Sequence, residues 1–253
     1  SNIEQLINLL DAEAKKRGKE LVYYLDYNSP EEEMRLVGEM ILKGYEAVIV
    51  VPNYDESLTA GFYRKLIQGN TRVILVDNTM SGSYFQYVVQ SYDLGVKRAL
   101  DYLTRQNQGN LLMVKNEAWK GRNLLHELME QTFRNITGVH HHEREVHVVS
   151  AMKELSQQFF KTRNIGGVLC CADQDAIRVL GRLRQWSIEV PGVISLVSYG
   201  NTELTAYYEP GITVIDSRYE EMAHKTARLI DEGHQAGLYE QHIIEPRFII
   251  RGT

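Results

Sequence analysis

The fold is decided by the stretch Val190-Pro191-Gly192-Val193-Ile194-Ser195-Leu196-Val197-Ser198-Tyr199-Gly200-Asn201-Thr202, followed by Glu209-Pro210-Gly211-Ile212-Thr213-Val214-Ile215. The pattern predicts, in this order, a helix end at Val-Pro, an apolar strand, a small polar loop and a second strand preceded by proline. In an open α/β sheet, this arrangement directs loop residues at the ends of the strands toward a ligand crevice.

Composition limits the class of protein. The 253 residues are 43% apolar and 24% charged, which is ordinary for a globular protein with one large or two medium domains. No membrane-spanning run and no signal peptide are visible, although Ser1-Asn2 is typical of an expression scar, so a removed leader stays open. The net charge of −5 indicates that this piece does not itself grip DNA phosphates. Adjacent Cys170 and Cys171 would point to opposite faces of a strand, which predicts reduced thiols and a cytoplasmic protein.

Helical apolar spacing alternates with short apolar runs along the whole chain. The pattern predicts helices at 3–14, 30–43, about 56–68, 94–103, about 122–133, about 152–162 and 175–185, and strands at 21–25, 47–51, 72–76, 111–114, 146–149, 167–171, 194–199 and 212–215. Short apolar strands between amphipathic helices predict an α/β protein with parallel sheets covered on both faces. The linker Gln106-Asn107-Gln108-Gly109 separates two such runs and predicts two lobes.

Four segments resemble the effector-binding domains of the lactose-repressor/galactose-repressor (LacI/GalR) transcription regulators. The opening stretch is similar to the family's "VP-x-x-V-S-V-V-G-[FY]-D-D … P-x-[LI]-T-[TS]-V". Val76-Asp77-Asn78 is similar to "V-D-R/N", and Cys171-Ala172-Asp173-Gln174-Asp175-Ala176 to "A-N-D-x-x-A". The most specific segment is Glu245-Pro246-Arg247-Phe248-Ile249-Ile250-Arg251-Gly252-Thr253, which resembles "P-x-L-V-V-R-G-S/T".

This resemblance covers essentially all of the chain and implies a two-lobed type I periplasmic-binding-protein-like fold. Each lobe would be a doubly wound parallel sheet flanked by helices. The N-terminal lobe would comprise residues 1–107 plus 218–236, the C-terminal lobe 108–217 plus 237–253, and the DNA-binding head is absent from this chain. Family members open with a strand, whereas this chain starts in the helix 3–14. We expect that strand to be missing from the sequence rather than from the fold, because its loss would leave neighbouring edges unpaired.

Side chains that suit a polyol follow the predicted strands. Amides, carboxylates and arginine pair with hydroxyl groups, and an aromatic face covers the C–H side of a sugar ring. The candidates by position are Asn28, Asn53, Tyr54, Asp77, Asn78, Trp119, Arg122, Asp173, Gln174, Tyr199 to Asn201, and Asp216. The ligand-binding set selected from these is Arg122, Asn201, Asp173, Trp119, Tyr54, Asn78, Tyr199 and Asp216.

Three of these residues have alternative interpretations. Arg122 aligns with the arginine that opens the first helix of the family's second lobe, which implies bonding to sugar hydroxyls; otherwise it is a solvated helix end. Trp119 is either a stacking platform or an aromatic that packs the lobe. Asp173 is either a ligand or the N-cap of the next helix, and the cap is favoured because Asp accepts bonds from free helix N–H groups.

The ligand pattern of the family is incomplete. Ala172 replaces the Asn of "A-N-D", and Gly200 replaces the first Asp of the "D-D" pair. Both changes remove a hydrogen-bonding group, and Asn201 is the nearest substitute. A simple hexopyranose is therefore doubtful, and a different sugar, a phosphorylated or acidic metabolite, and a weakly selective pocket stay open.

Metal binding and catalysis have little support in the sequence. His140-His141-His142 are consecutive loop residues, which do not converge as ligands at helical or hairpin spacing do. No G-x-S-x-G, Gly-rich phosphate loop or metal-ligand signature is present. We therefore expect no metal, no cofactor and no enzyme activity.

Together these features predict the effector-binding and dimerisation domain of a bacterial transcription regulator. Its partners would be a small sugar-like effector, a second copy of the chain, and operator DNA through an absent head of helix-turn-helix or GntR-type winged-helix kind, with no membrane. The resemblance implies pairing through the helix 3–14 and the helix 178–185. The alternatives are a periplasmic sugar-binding protein of a transport system and, more weakly, an enzyme on a doubly wound scaffold.

Overall fold

The chain forms two compact units. The computed structural model describes residues 2–27, 29–52, 56–68, 72–78, 85–115, 124–233 and 239–253. The first unit comprises Ile3–Gln90 and Arg218–Ile244, and the second comprises Ser91–Ser217 and Glu245–Thr253. Both units are therefore discontinuous, and the polypeptide passes between them three times.

Helices and strands alternate in both units. In chain order they are α1 (Asn2–Lys16), α2 (Pro30–Leu42), β1 (Val48–Val50), α3 (Glu56–Gln68), β2 (Val73–Asp77), β3 (Gln86–Gln90), α4 (Tyr92–Gln106), β4 (Asn110–Val114), α5 (Leu124–His140), β5 (Val146–Val149), α6 (Gln157–Thr162), β6 (Ile165–Cys170), α7 (Asp173–Gln185), β7 (Ser195–Tyr199), α8 (Glu203–Tyr207), β8 (Thr213–Asp216), α9 (Tyr219–Glu232), β9 (Gln241–Ile244) and β10 (Arg247–Ile249). No helix in the described stretches combines the length and the apolar character that a membrane crossing requires.

The first unit is a parallel sheet in the order β1-β2-β3-β9, covered on both faces. Successive residues of β2 point to opposite faces. Ile74 and Val76 therefore pack with α1 and α9, whereas Leu75 packs with α2 and α3. The predicted start of α2 is confirmed, because the Ser29 hydroxyl accepts a hydrogen bond from the Glu32 N–H at 3.2 Å.

Residues 21–26 form no strand, which corrects the predicted strand 21–25. Within the described residues, β1 has a neighbouring strand on one side only, namely β2. Val22, Tyr23 and Leu25 expose 44%, 61% and 49% of their surfaces. An apolar and aromatic run without a partner strand gains no ladder hydrogen bonds, so its composition alone does not make it a strand.

The second unit is a six-stranded sheet in the order β10-β8-β7-β6-β4-β5, in which only β10 runs antiparallel to its neighbour. The buried strand residues Val168, Leu196 and Val214 pack against α7 through Val179 and Leu183. Both cysteines, Cys170 and Cys171, are free and buried.

The last residue of the chain closes this second core. Thr253 is fully buried, and its hydroxyl donates to the Leu196 carbonyl at 2.7 Å and accepts from the Thr213 N–H at 2.9 Å. Its main-chain oxygen accepts from the hydroxyls of Thr213 and Tyr102, each at 2.8 Å. The tail therefore joins β7, β8 and α4.

The observed unit boundaries correct two of the predicted ones. The helix α4 packs against β6, β7 and β10, so the chain leaves the first unit at Gln90 and not at the linker 106–109. After α9 the chain adds β9 to the first sheet, so the last passage lies between Ile244 and Glu245 and not after residue 236.

Two helices also differ from their predicted limits. The predicted helix 152–162 is a 3₁₀ turn, Met152–Glu154, followed by α6, because the Ser156 hydroxyl caps a new helix by accepting from the Phe159 N–H at 3.1 Å. The helix α5 continues to His140, so the first residue of the histidine run is helical rather than in a loop.

Candidate ligand-binding site

The loops that follow β6 and β7 meet at one edge of the second sheet. These strands are parallel neighbours, with Cys170 opposite Ser198, so their carboxyl ends lie side by side. Asp173 follows β6, and Tyr199 and Asn201 lie at the end of β7. The structure therefore brings Asp173 next to the loop of Tyr199 to Asn201, two candidates that the sequence nominated separately.

Asp173 holds these two loops to each other. Its carboxylate is 4% exposed and accepts from the Ser198 hydroxyl at 2.5 Å and from the Thr202 N–H at 2.8 Å. The N-cap position of α7 belongs to Ala172, and Asp173 is the first helical residue. The favoured interpretation of Asp173 as the N-cap is therefore wrong, because its carboxylate bonds to the β7 loop.

Asn201 is held by the C-terminal tail. The Arg251 guanidinium donates to the Asn201 side-chain oxygen at 2.8 Å, to the Ile212 carbonyl at 2.8 Å and to the Thr205 hydroxyl at 3.2 Å. Burial lowers the pKa of Arg251 from its ordinary value. The amide oxygen that is the nearest substitute for the lost ligand groups thus already has a partner.

Tyr199 is buried against the start of α4. Only 3% of its surface is exposed, and its ring lies 5.5 Å from the Tyr92 ring, centre to centre. The phenol packs so closely on Gly95 that any side chain at that position would collide with it. In the second unit as described, Tyr199 anchors a helix rather than presenting an aromatic face.

Asp216 is paired across the sheet. It lies opposite Arg247 in the β8–β10 register and accepts from the Arg247 Nη2 at 2.6 Å and Nε at 3.2 Å. Only 8% of Asp216 is exposed. Its carboxylate is therefore engaged within the second unit.

In the first unit, Asp77 and Asn78 lie at the end of β2. Asp77 is buried, has a φ of 66°, and accepts from the Gln90 amide at 2.9 Å. Asn78 is half-buried, and its amide makes one long contact, at 3.5 Å, with the Pro52 carbonyl. The Asn78 amide is thus held less firmly than the side chains of Asp173, Asn201 and Asp216.

Comparison with known proteins identifies the family. Residues 101–253, more than half of the chain, match the family described as the periplasmic binding protein-like domain. The chain belongs to this family. The predicted type I periplasmic-binding-protein-like fold, and the resemblance to LacI/GalR effector-binding domains, are thereby confirmed.

The individual relatives share 30% or less of their sequence with this chain. The HTH-type transcriptional repressor PurR of Vibrio parahaemolyticus serotype O3:K6 is 30% identical over 91 residues, which are 34% of this chain and 26% of that protein. The dimeric Lac repressor with an 11-residue C-terminal deletion has a TM-score of 0.85 at 14% identity, covering 99% of this chain and 93% of that one. A periplasmic binding protein/LacI transcriptional regulator from Alkaliphilus metalliredigens QYMF, complexed with D-xylulofuranose, has a TM-score of 0.76 at 17% identity, covering 99% and 93%. The match to PurR spans about a quarter of that relative's length.

Gly200 departs from the family pattern for a local steric reason. Its φ of 141° is a conformation that only glycine adopts readily, and a Cβ there would lie 2.7 Å from the Asp173 Oδ1. The Asp of the family's "D-D" pair therefore cannot occupy this position while Asp173 bonds to Ser198 and Thr202.

A cluster of titratable groups lies beside the carboxyl ends of the second sheet's strands. No sequence motif indicated it. Lys115 follows β4 and is ion-paired with Glu130 of α5, which also accepts from the Arg134 Nε at 2.9 Å. Burial and the Lys115 charge lower the pKa of His126 to about 4. Burial raises the pKa of the Cys171 thiol, so this thiol is not a nucleophile at neutral pH.

The remaining predicted ligand residues lie outside the described residues. They are Arg122, Trp119, Tyr54, Asn53 and Asn28. In the part of the chain that the structure describes, no group of three or more His, Cys, Asp or Glu residues is placed to hold a metal ion.

Proposed function

We propose that this chain is the effector-binding and dimerisation domain of a cytoplasmic transcription regulator of the LacI/GalR type. The observation that carries the proposal is the similarity over nearly the whole chain to the dimeric Lac repressor, together with the sequence similarity to the repressor PurR. The net charge of −5 supports DNA binding by a separate head domain and not by this chain.

The effector is a small sugar or sugar derivative that binds between the two units. The fold similarity to a regulator complexed with D-xylulofuranose supports this ligand class. Binding would favour one arrangement of the units over another, and only a difference in affinity between the two arrangements can change DNA binding. Dimerisation through α1 and α7 would carry that change to a palindromic operator.

We assign the ligand contacts to Arg122, Trp119, Tyr54 and Asn78. Asp173, Tyr199, Asn201 and Asp216 already contact groups within the second unit. We assign these four a supporting role, because each would have to give up a protein contact in order to take a ligand hydroxyl. Arg122 then supplies the charged hydrogen bonds that orient the effector.

The test begins with a thermal-shift screen of D-xylulose, D-ribose, sucrose, cellobiose, sugar phosphates and sugar acids. Arg122→Ala should weaken the best binder by roughly 10- to 150-fold in calorimetric titration, because a hydrogen bond from a charged group contributes about 1.5–3 kcal/mol. Stability should stay within about 0.5 kcal/mol of the parent protein. Unchanged affinity would identify Arg122 as a solvated helix end and remove it from the site.

Two further measurements test the assembly. Sedimentation at micromolar concentration should give a homodimer, and a monomer of 29.1 kDa would contradict the proposal once a full-length control behaves in the same way. Duplex DNA should bind no tighter than about 10⁻⁶ M at physiological salt, the level of non-specific binding. Tighter, sequence-independent binding would show that this chain grips DNA itself.

A further inference from the structure

The three passages between the units are the places where any rearrangement of one unit against the other must bend the chain. They lie between Gln90 and Ser91, between Ser217 and Arg218, and between Ile244 and Glu245. They are the first, second and third crossings, respectively.

On the first-unit side, a backbone ladder joins two of the crossings. Gln90 and Ile244 are the last residues of β3 and β9, and they are register partners in this parallel pair. The second crossing ends in Arg218, whose φ of 56° lies in the left-handed region that non-glycine residues seldom occupy. On the first-unit side, the link between the first and third crossings therefore consists of main-chain hydrogen bonds, which no side-chain substitution removes.

On the second-unit side, Arg247 joins the second and third crossings. Asp216 lies just before the second crossing and Arg247 just after the third, and the Arg247 Nη2 donates to the Asp216 Oδ2 at 2.6 Å. The Asp216 side chain is 12% exposed, whereas the Arg247 side chain is 64% exposed. A mostly exposed arginine thus holds an almost buried carboxylate at the base of two crossings.

Arg98 joins the third crossing to the first. It lies on α4, which begins immediately after the first crossing, and its guanidinium donates to the Pro246 carbonyl and, at 3.1 Å, to the Glu245 carboxylate. Pro246 and Glu245 are the first two residues after the third crossing. The N-terminus of the same helix is fixed by the contact between Tyr92 and Tyr199.

We propose that Arg98 and Arg247 form a clamp that joins the second-unit ends of all three crossings, so that the crossings bend together. The clamp consists of Arg98, Asp216, Glu245, Pro246 and Arg247. Its role in regulation rests on the proposed function. There, the clamp makes all three crossings bend together when the effector binds. Asp216 is then a positioning residue and not a ligand residue. The clamp itself is a property of the effector-free chain, so it can be tested without an effector.

The first experiment is hydrogen–deuterium exchange on Arg247→Ala, Arg98→Ala and the double variant. In both contacts at least one partner is largely solvent-exposed, and loss of an ion pair of this kind changes local opening equilibria by about 5-fold. Amides in residues 214–219 and 243–248 should therefore exchange about 3- to 5-fold faster in each single variant and faster still in the double variant. Arg247→Lys keeps the charge but not the forked contact and should lie between Arg247→Ala and the parent.

Arg35→Ala is the matched control. Arg35 lies on α2, its side chain is 58% exposed, and it is ion-paired with Glu32 and Glu39 away from the crossings. Its removal should leave exchange at the crossings unchanged. Faster exchange spread evenly over the second unit in the clamp variants would identify a purely structural role and overturn the proposal, as would equal effects in Arg35→Ala.

The second experiment measures the distance between the units directly. Spin labels at exposed Lys65→Cys and Lys161→Cys report from the first and second units, and the native cysteines are buried. Mixing labelled with excess unlabelled protein restricts the measurement to pairs within one protomer. The distribution of label–label distances should broaden in the Arg98→Ala/Arg247→Ala background, whereas a structural role alone would not move it. An unchanged distribution would overturn the clamp. A broadened one supports it even when the thermal-shift screen finds no effector and the proposed function fails.

Discussion

Replacing Asp173 with Ala tests whether this residue is part of the framework or an open ligand group. Its carboxylate accepts hydrogen bonds from the Ser198 hydroxyl at 2.5 Å and the Thr202 N–H at 2.8 Å, and it is 4% exposed. A hydrogen bond to a charged group contributes about 1.5–3 kcal/mol, and truncation leaves both donors without their partner. The free energy of unfolding of the second unit should therefore fall by about 3 kcal/mol or more.

The assay is urea unfolding followed by tryptophan fluorescence in a Trp119→Phe background, where the signal comes from Trp186 packed against the core of the second unit. Asp173→Asn keeps one acceptor for the Ser198 hydroxyl and should lose less, about 1–2 kcal/mol. Asp101→Ala in the same unit removes an exposed ion pair with Lys97 at 2.9 Å and should stay within about 1 kcal/mol of the parent.

One result would refute this reasoning. If Asp173→Ala unfolds within about 0.5 kcal/mol of the parent, as an exposed residue would, the two hydrogen bonds add no stability. A simultaneous loss of affinity for a sugar found in the screen would then assign Asp173 to the ligand and not to the framework.

Three further predictions concern other parts of the molecule. Thr253→Val removes the donor to the Leu196 carbonyl and the acceptor for a strand N–H, so calorimetry should show a loss of about 1–3 kcal/mol in the second unit; an unchanged melting temperature would contradict it. Gly200→Ala should lower the free energy of unfolding, because the new Cβ would lie 2.7 Å from the Asp173 carboxylate. Gly181 lies on α7 with open space around it, so Gly181→Ala should raise the free energy of unfolding by about 0.5–1 kcal/mol. Equal effects of the two variants would show that the steric argument is wrong. Hydrogen bonds from neighbouring basic side chains lower the pKa of Glu13 from 4.5 to about 2. Its stabilising contribution is therefore full above pH 4.5 and is lost as the pH falls toward 2. Glu13→Gln should make the free energy of unfolding fall less steeply between these pH values, and an unaltered pH dependence would exclude this cause.

The sequence predicted those elements whose signals are local. The start of α2 depends on the adjacent residues Ser29, Pro30 and Glu32, so the pattern was sufficient. In contrast, β3 is polar at both ends and pairs with β9, more than 150 residues later, so no short window predicts it. The strand 21–25 failed for the opposite reason, since its composition favours a strand but the described residues supply no ladder.

The candidate site shows the same limit. The sequence placed Asp173 and Asn201 at strand ends, which is where they lie. It did not predict their partners, because Ser198 is 25 residues from Asp173 and Arg251 is 50 residues from Asn201. Ser198 gave a weak signal as a polar residue inside an apolar strand, and Arg251 was seen only as part of a terminal motif.

The discontinuity of both units has a consequence for the order of synthesis. Residues 3–90 are synthesised before residues 219–232, so the apolar face that α9 covers stays open in between. The second sheet waits longer, because β10 and Thr253 are its last parts to emerge. Neither unit can complete its native core until both of its segments have been translated, so a nascent chain exposes apolar surface during that interval, which favours aggregation.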